Sequence, residues 1–215
     1  VFTAPDGTPR LATSGGDETV RIWNPATRTQ DGELVTGHTG GVEAVAVFTA
    51  PDGTPRLATS GNDETVRIWN PATRTQDGEL VTGHTGFTGA VRAVAVFTAP
   101  DGTPRLATGS SNGTVRIWNP ATRTQEGETF TGHTDWLYGE AVAVAVFTAP
   151  DGISRLVTGG LDGTVRIWNL HTRTAPKLLL ADAVHELTEH HGLLIAGTNS
   201  GYLAVDISSV PTNTA

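Results

Sequence analysis

Histidine, threonine and aspartate are the side chains of this chain with the greatest chemical reach, and they return at regular intervals. "GHT" occurs at Gly37–Thr39, Gly83–Thr85 and Gly132–Thr134. After each comes an "LATS", "LATG" or "LVTG" segment and then a "DET", "NGT" or "DGT" turn. A hydroxyl, and in most copies a carboxylate, therefore accompanies every imidazole. Such a set could run acyl transfer, with the hydroxyl as nucleophile, the imidazole as base and the carboxylate orienting it. An enzyme needs one such site. Here three equivalent sets recur, which points to scaffolding, and no catalytic residue is assigned.

The other reactive side chains lead to the same place. "PDG" recurs at Asp6, Asp52, Asp101 and Asp151, but a single carboxylate in a turn falls short of the six to eight oxygens calcium takes. His185, His190 and His191 have neither a cysteine nor a second carboxylate cluster beside them, so the ligand spacing of a zinc site is missing. Cysteine is absent altogether, which removes thiolate chemistry and any disulfide framework. Neither a metal nor a cofactor is expected.

Charge narrows the partners. Lys and Arg total 14 against 22 Asp and Glu, a net charge of −8. Nucleic acid and anionic membrane both call for a positive surface, and Arg21, Arg67, Arg116 and Arg166 are spread one per repeat rather than clustered. The longest apolar run, Ala141–Phe147, is far too short to span a bilayer. A cytoplasmic location is the expectation. The chain opens on Val1 and contains no methionine, which reads as a processed or excised piece of a longer product.

The elements that must position these residues come from internal repetition, the first thing to look for in a chain like this. Residues 1–40 reappear as residues 47–86 with one change, Gly16 to Asn62, and further copies start at Val96 and Val146. A fifth, eroded copy contains "LLIAGTNSGYLAV", which aligns with "RLATGSSNGTVRI" of the third. Each period reads as four strands. "EAVAVFTA" is the first, "PDGTP" turns the chain, "RLATS" and "TVRIWN" follow, and after "NPAT" the segment "GELVTG" is the fourth. Repeated four-stranded antiparallel units predict an all-β propeller.

The segment "GHT…LATSGNDETVRIWN" resembles the WD40 repeat, with its Gly-His pair and with Trp-Asn in place of the Trp-Asp dipeptide. The resemblance covers nearly the whole chain. One propeller domain over residues 1–215 is expected, with repeat units 1–46, 47–95, 96–145 and 146–182, a degenerate unit 183–208 and a tail 209–215. Because WD40 rings most often have seven blades, about five blade units imply an incomplete ring, or one closed by another chain.

The resemblance also implies a buried network in each blade. Transferred position by position, it comprises His38, Thr59, Asp63 and Trp69 in the second blade and His84, Thr108, Asn112 and Trp118 in the third. In the fourth it comprises His133, Thr158, Asp162 and Trp168. Asn112 carries no charge, so the third network is expected to be the weaker. The first blade has Thr13, Asp17 and Trp23 but no histidine, and in the fifth Ala196, Ser200 and Asp206 occupy the three positions. Arg28, Arg74, Arg123 and Arg173 stand where the family often has glycine, and an altered turn is expected there. For a non-glycine residue the left-handed conformation costs about 1 kcal/mol.

Where near-identical repeats disagree, the fold leaves room for function. The turn between second and third strands varies: Gly15-Gly16, Gly61-Asn62, Ser110-Ser111 and Gly160-Leu161. So does the loop leading into the first strand, which lengthens from "GGVE" (40–43) through "GFTGAVR" (86–92) to "DWLYGEAV" (135–142). Antiparallel order puts both connections on one edge of a blade. Glu43, Phe87, Arg92, Trp136, Leu137, Tyr138 and Glu140 are therefore the candidates for binding a protein or peptide, since aromatics and arginine carry interface energy. The competing readings are that the aromatics fold back as core, or that an engineered or fragmentary propeller assembles with copies of itself.

Overall fold

The computed structural model describes residues 1–207, apart from residues 34, 79–80, 83, 85–88, 134–139, 149–153, 171–176, 181 and 191–192. The strands fall where the alternation of small apolar and polar residues puts them. In the second period Val42–Thr49 pairs antiparallel with Pro55–Gly61, which pairs with Thr65–Asn70. The third and fourth periods repeat this with Val91–Thr98, Pro104–Ser110 and Thr114–Asn119, then Ala141–Thr148, Ser154–Gly160 and Thr164–Asn169. The first sheet opens on the short strand Phe2–Thr3, and the fifth has three strands, Val184–His190, Leu193–Thr198 and Gly201–Asp206. These are five antiparallel sheets of an incomplete propeller ring. Among the described residues no helix is long and apolar enough to cross a membrane.

The fourth strand differs from the expected "GELVTG". In each of the first three sheets it is split into two short pieces, Thr29–Gln30 and Val35–Thr36 in the first, which pair with opposite ends of the same third strand. Pairing continues just past the first piece, where the Asp31 amide donates to Ile22 O at 2.7 Å. Then Gly32, at φ 72°, turns the chain out of the extended region; Gly78 and Gly127 do the same at 78° and 67°.

The fifth unit carries a correction of register. Its hairpin turn is one residue shorter, because Thr198 already pairs with Gly201. Val205, not Asp206, therefore stands opposite Leu194, the place that Trp168 takes opposite Leu156. Neither Ala196 nor Val205 has a side chain that can hydrogen bond, so no such network is built there.

Hydrophobic burial takes place between sheets. Phe2, Val20 and Ile22 of the first sheet pack with Val42, Leu57 and Trp69 of the second, and Phe48, Val66 and Ile68 of the second pack with Val91, Leu106 and Trp118 of the third. The same pattern joins the third sheet to the fourth and the fourth to the fifth. Fully burying a side chain of this size contributes roughly 1.5–3 kcal/mol. Among the described residues the first sheet has a neighbour on one side only, and on the other Leu11 is 40% exposed where Leu57, its equivalent, is 0%.

Two recurring details aim side chains. The first three "PDG" turns close with glycine at positive φ, and Asp6 Oδ1 accepts from the Thr8 amide at 2.9 Å and the Thr8 hydroxyl at 2.6 Å. The bond from Thr8 holds the Asp6 carboxyl below its usual range, and Arg10 takes its other oxygen, so the aspartate serves the turn. The second detail is a β-bulge at the start of the first strand, at Val42/Ala44, Val91/Ala93, Ala141/Ala143 and Val184/Glu186. Such a bulge re-aims the extra residue, which here is Glu43, Arg92, Val142 or His185.

Candidate functional site

The expected networks are assembled, each across two consecutive blades. His38 follows the outer strand of the first sheet, yet its Nε2 lies 2.8 Å from Thr59 Oγ1 and its Nδ1 2.9 Å from Asp63 of the second. Trp69 Nε1 donates to Thr59 Oγ1 at 2.7 Å. The partners assign the tautomer. With the Nδ1 proton given to Asp63, Nε2 accepts from the Thr59 hydroxyl, which accepts from the indole. His133 repeats the arrangement with Thr158 at 2.8 Å and Asp162 at 3.2 Å, and Trp168 donates to Thr158 at 2.8 Å.

The third blade departs from this at Asn112. His84 Nε2 meets Thr108 Oγ1 at 2.7 Å and Trp118 donates to the same hydroxyl at 2.8 Å. On the other side Nδ1 reaches the Thr114 hydroxyl at 3.1 Å, as His133 Nδ1 reaches Thr164 at 3.0 Å, and Thr114 passes the bond to Asn112 Oδ1 at 2.6 Å; what differs is that His84 meets Asn112 through the hydroxyl alone. Burial, and secondarily the Arg116 charge, pushes the His84 imidazole down to about 3. Burial also lowers His38, but there Asp63 works in the opposite direction. Burial alone would raise Asp63; bonds from Thr65, His38 and the Thr39 amide outweigh it and hold the carboxyl below its usual value.

These sets are not open to a substrate. Thr59, Thr108 and Thr158 are fully buried, and each hydroxyl is committed to an indole N–H and an imidazole. What the arrangement does chemically is satisfy buried polar groups and fix one packing geometry.

A turn expected to change has kept its shape. Arg28, Arg74 and Arg123 all have φ of 60°, the left-handed conformation itself. The backbone is held from two directions: the Arg74 amide donates to Asn70 O at 2.8 Å, and Asn70 Oδ1 caps the Ala72 amide at 3.0 Å. The side chain then crosses to the preceding blade. Arg74 donates to Asp31 O at 2.8 Å and Arg123 to Asp77 O at 3.0 Å, each lying over the glycine that splits the outer strand. Asp31 and Asp77 also bind Arg10 and Arg56 of their own sheets. The recurrence of Asp-Gly with Arg in the next copy was the signal for this clamp. Arg173 lies outside the described residues.

The variable positions among the described residues lie side by side on one edge. The Val42 amide donates to Gly15 O at 3.0 Å and the Asn62 amide to Gly41 O at 2.9 Å; Ser111 and Leu161 bond in the same way to Ala90 and Glu140. The three charged candidates are brought together. Arg92 lies 3.2 Å from Glu43 and 3.5 Å from Glu140, and it donates to Asn62 at 2.9 Å and Ser111 at 2.8 Å. Asn62 in turn donates to Glu43 at 2.6 Å. Glu43, Arg92 and Glu140 thus tie three blades together along the loop edge. Phe87, Trp136, Leu137 and Tyr138 lie outside the described residues.

On the opposite edge, a cleft of about 620 Å³ between the first two sheets is lined by Phe2, Ile22, Pro71, Asp31 and Arg74. A smaller one of about 260 Å³ recurs between the second and third sheets, with Phe48, Ile68, Pro120, Asp77 and Arg123. Reading the repeats for variation passed over these clefts, because they are built from positions that do not vary.

Three segments of the chain, residues 31–70, 78–119 and 125–169, match the family described as WD domain, G-beta repeat. Each runs from an outer strand through the third strand of the next sheet, so each contains one complete His–Thr–Trp set. No curated protein matches the chain.

Proposed function

The chain belongs to the WD-domain, G-beta repeat family, whose repeats serve as protein-interaction scaffolds, and we propose that it is a non-enzymatic module that binds a protein or peptide on its loop edge. One observation carries the reading: the positions at which near-identical repeats differ are bonded to one another across three blades on a single edge. The invariant positions are consumed by the buried networks and the arginine clamps. Since Glu43, Arg92 and Glu140 bind each other, they set the spacing of the loops, and ligand contact falls to Phe87, Trp136, Leu137 and Tyr138. The change Trp136→Ala with Tyr138→Ala is expected to abolish partner capture while leaving the unfolding midpoint in place. Retained capture with a loss of more than about 2 kcal/mol would make the loop core instead.

Self-assembly is the second reading, favoured by apolar side chains on the two end sheets. Leu11 is 40% exposed on the first, and Tyr202 is 81% and Leu203 40% exposed on the fifth. Mass measured in solution separates the two readings: a closed oligomer supports assembly, and a soluble monomer removes it.

A further inference from the structure

The third blade departs from its neighbours inside a buried network, at Asn112, and the residue that follows is Gly113. We propose that this pair is a self-modification site, where Asn112 loses its side-chain amide as ammonia and becomes the aspartate that the second and fourth blades carry. The Gly113 backbone nitrogen, once deprotonated, attacks Cγ of Asn112. A carbon–nitrogen bond closes a five-membered imide, and the side-chain nitrogen leaves with the proton as ammonia. Water then adds to one imide carbonyl and reopens the ring. Overall one water is consumed and one ammonia released, with no oxidant or reductant.

Three features of the turn carry the proposal. Asn112 Oδ1 accepts from the Thr114 amide at 3.1 Å and from the Thr114 hydroxyl at 2.6 Å. Two donors therefore stand where negative charge collects as the nitrogen adds to the carbonyl. Gly113 has no side chain to shield its nitrogen, and its φ of 76° is open to glycine at little cost. Its N–H is donated to Ser110 O at 3.0 Å, so local opening of the turn sets the rate.

The third feature is what the product would meet. In the second blade one carboxylate serves His38, the Thr39 amide, Thr65 and Arg67. In the third, among the described residues, His84 Nδ1 meets the Thr114 hydroxyl alone, where His133 has both the Thr164 hydroxyl and Asp162, and Arg116 sits at the Arg67 position, desolvated and bonded to Gln125. An aspartate would supply the charge this pocket is shaped around. Reopening the imide the other way gives isoaspartate, which lengthens the main chain next to the buried Gly113. The folded blade should therefore select the aspartate.

The test is to incubate the folded protein in mildly alkaline buffer beside the same chain in urea. Peptides are then mapped by mass, with fragmentation that separates aspartate from isoaspartate, using Asn199-Ser200 as internal reference. The folded protein is expected to convert Asn112 ahead of Asn199, with aspartate in the majority, while the unfolded chain gives mostly isoaspartate. The Asn112→Asp variant is expected to unfold at a higher temperature than the fresh protein. Persistence of the Asn112 amide in the folded protein while the urea sample converts would overturn the proposal. So would an isoaspartate majority from the folded protein, or a lower unfolding temperature for Asn112→Asp.

Discussion

The second and third blades are built from nearly the same residues, yet His38 faces a carboxylate and His84 a hydroxyl. The imidazole is placed alike in both. Its Nε2 stands 2.8 Å and 2.7 Å from the threonine, and the indole donates to that threonine at 2.7 Å and 2.8 Å. The threonine–histidine–tryptophan chain alone therefore sets the position. What the carboxylate adds is charge: Asp63 answers both His38 and Arg67, whereas the residue at the same place in the third blade, Asn112, is neutral.

The comparison can be broken most directly at the two acceptors. Asp63→Ala should cost about 3 kcal/mol, because it strands a buried imidazole N–H, three other donors and a guanidinium. Asn112→Ala should cost about 1 kcal/mol, since it removes one neutral acceptor. Urea unfolding of both variants measures the gap, and equal losses would show that the carboxylate adds nothing to the amide.

Acid gives a smaller, graded effect that sharpens the same contrast. His84 titrates near 3 in the folded state against 6.5 unfolded. The unfolded chain takes up the proton first, so this residue's contribution is fully present above 6.5 and is lost as pH falls toward 3. The slope is at most about 1.4 kcal/mol per pH unit. Stability measured across that window should fall less steeply in His84→Gln. An unchanged slope would mean that the imidazole is not held neutral.

The strands were legible because a two-residue alternation punctuated by "PDG" and "NPAT" leaves few other folds. The networks were legible through their resemblance to known repeats, including the Asn112 that stands where the second and fourth blades have aspartate. The sequence hid what depends on geometry between copies. Arg74 reads as a costly occupant of a glycine position until the adjoining blade's Asp31 is seen beneath it. Glu43 and Arg92 read as opposite charges offered to a partner, but a bulge at each position turns them toward one another. The fifth unit misaligned by one residue because a two-residue turn replaced a three-residue one, a change with no marker in composition.

Each of His38, His84 and His133 is carried by the stretch that closes one sheet and is used by the next. The sheets are thus wired in series, and the unit copied in the sequence is offset from the unit that holds together in space. A lesion just after the outer strand of one blade, such as loss of His38, would leave its own sheet intact and loosen its successor. Loss of a histidine should therefore be felt toward the carboxyl end, while loss of a clamping arginine is felt toward the amino end.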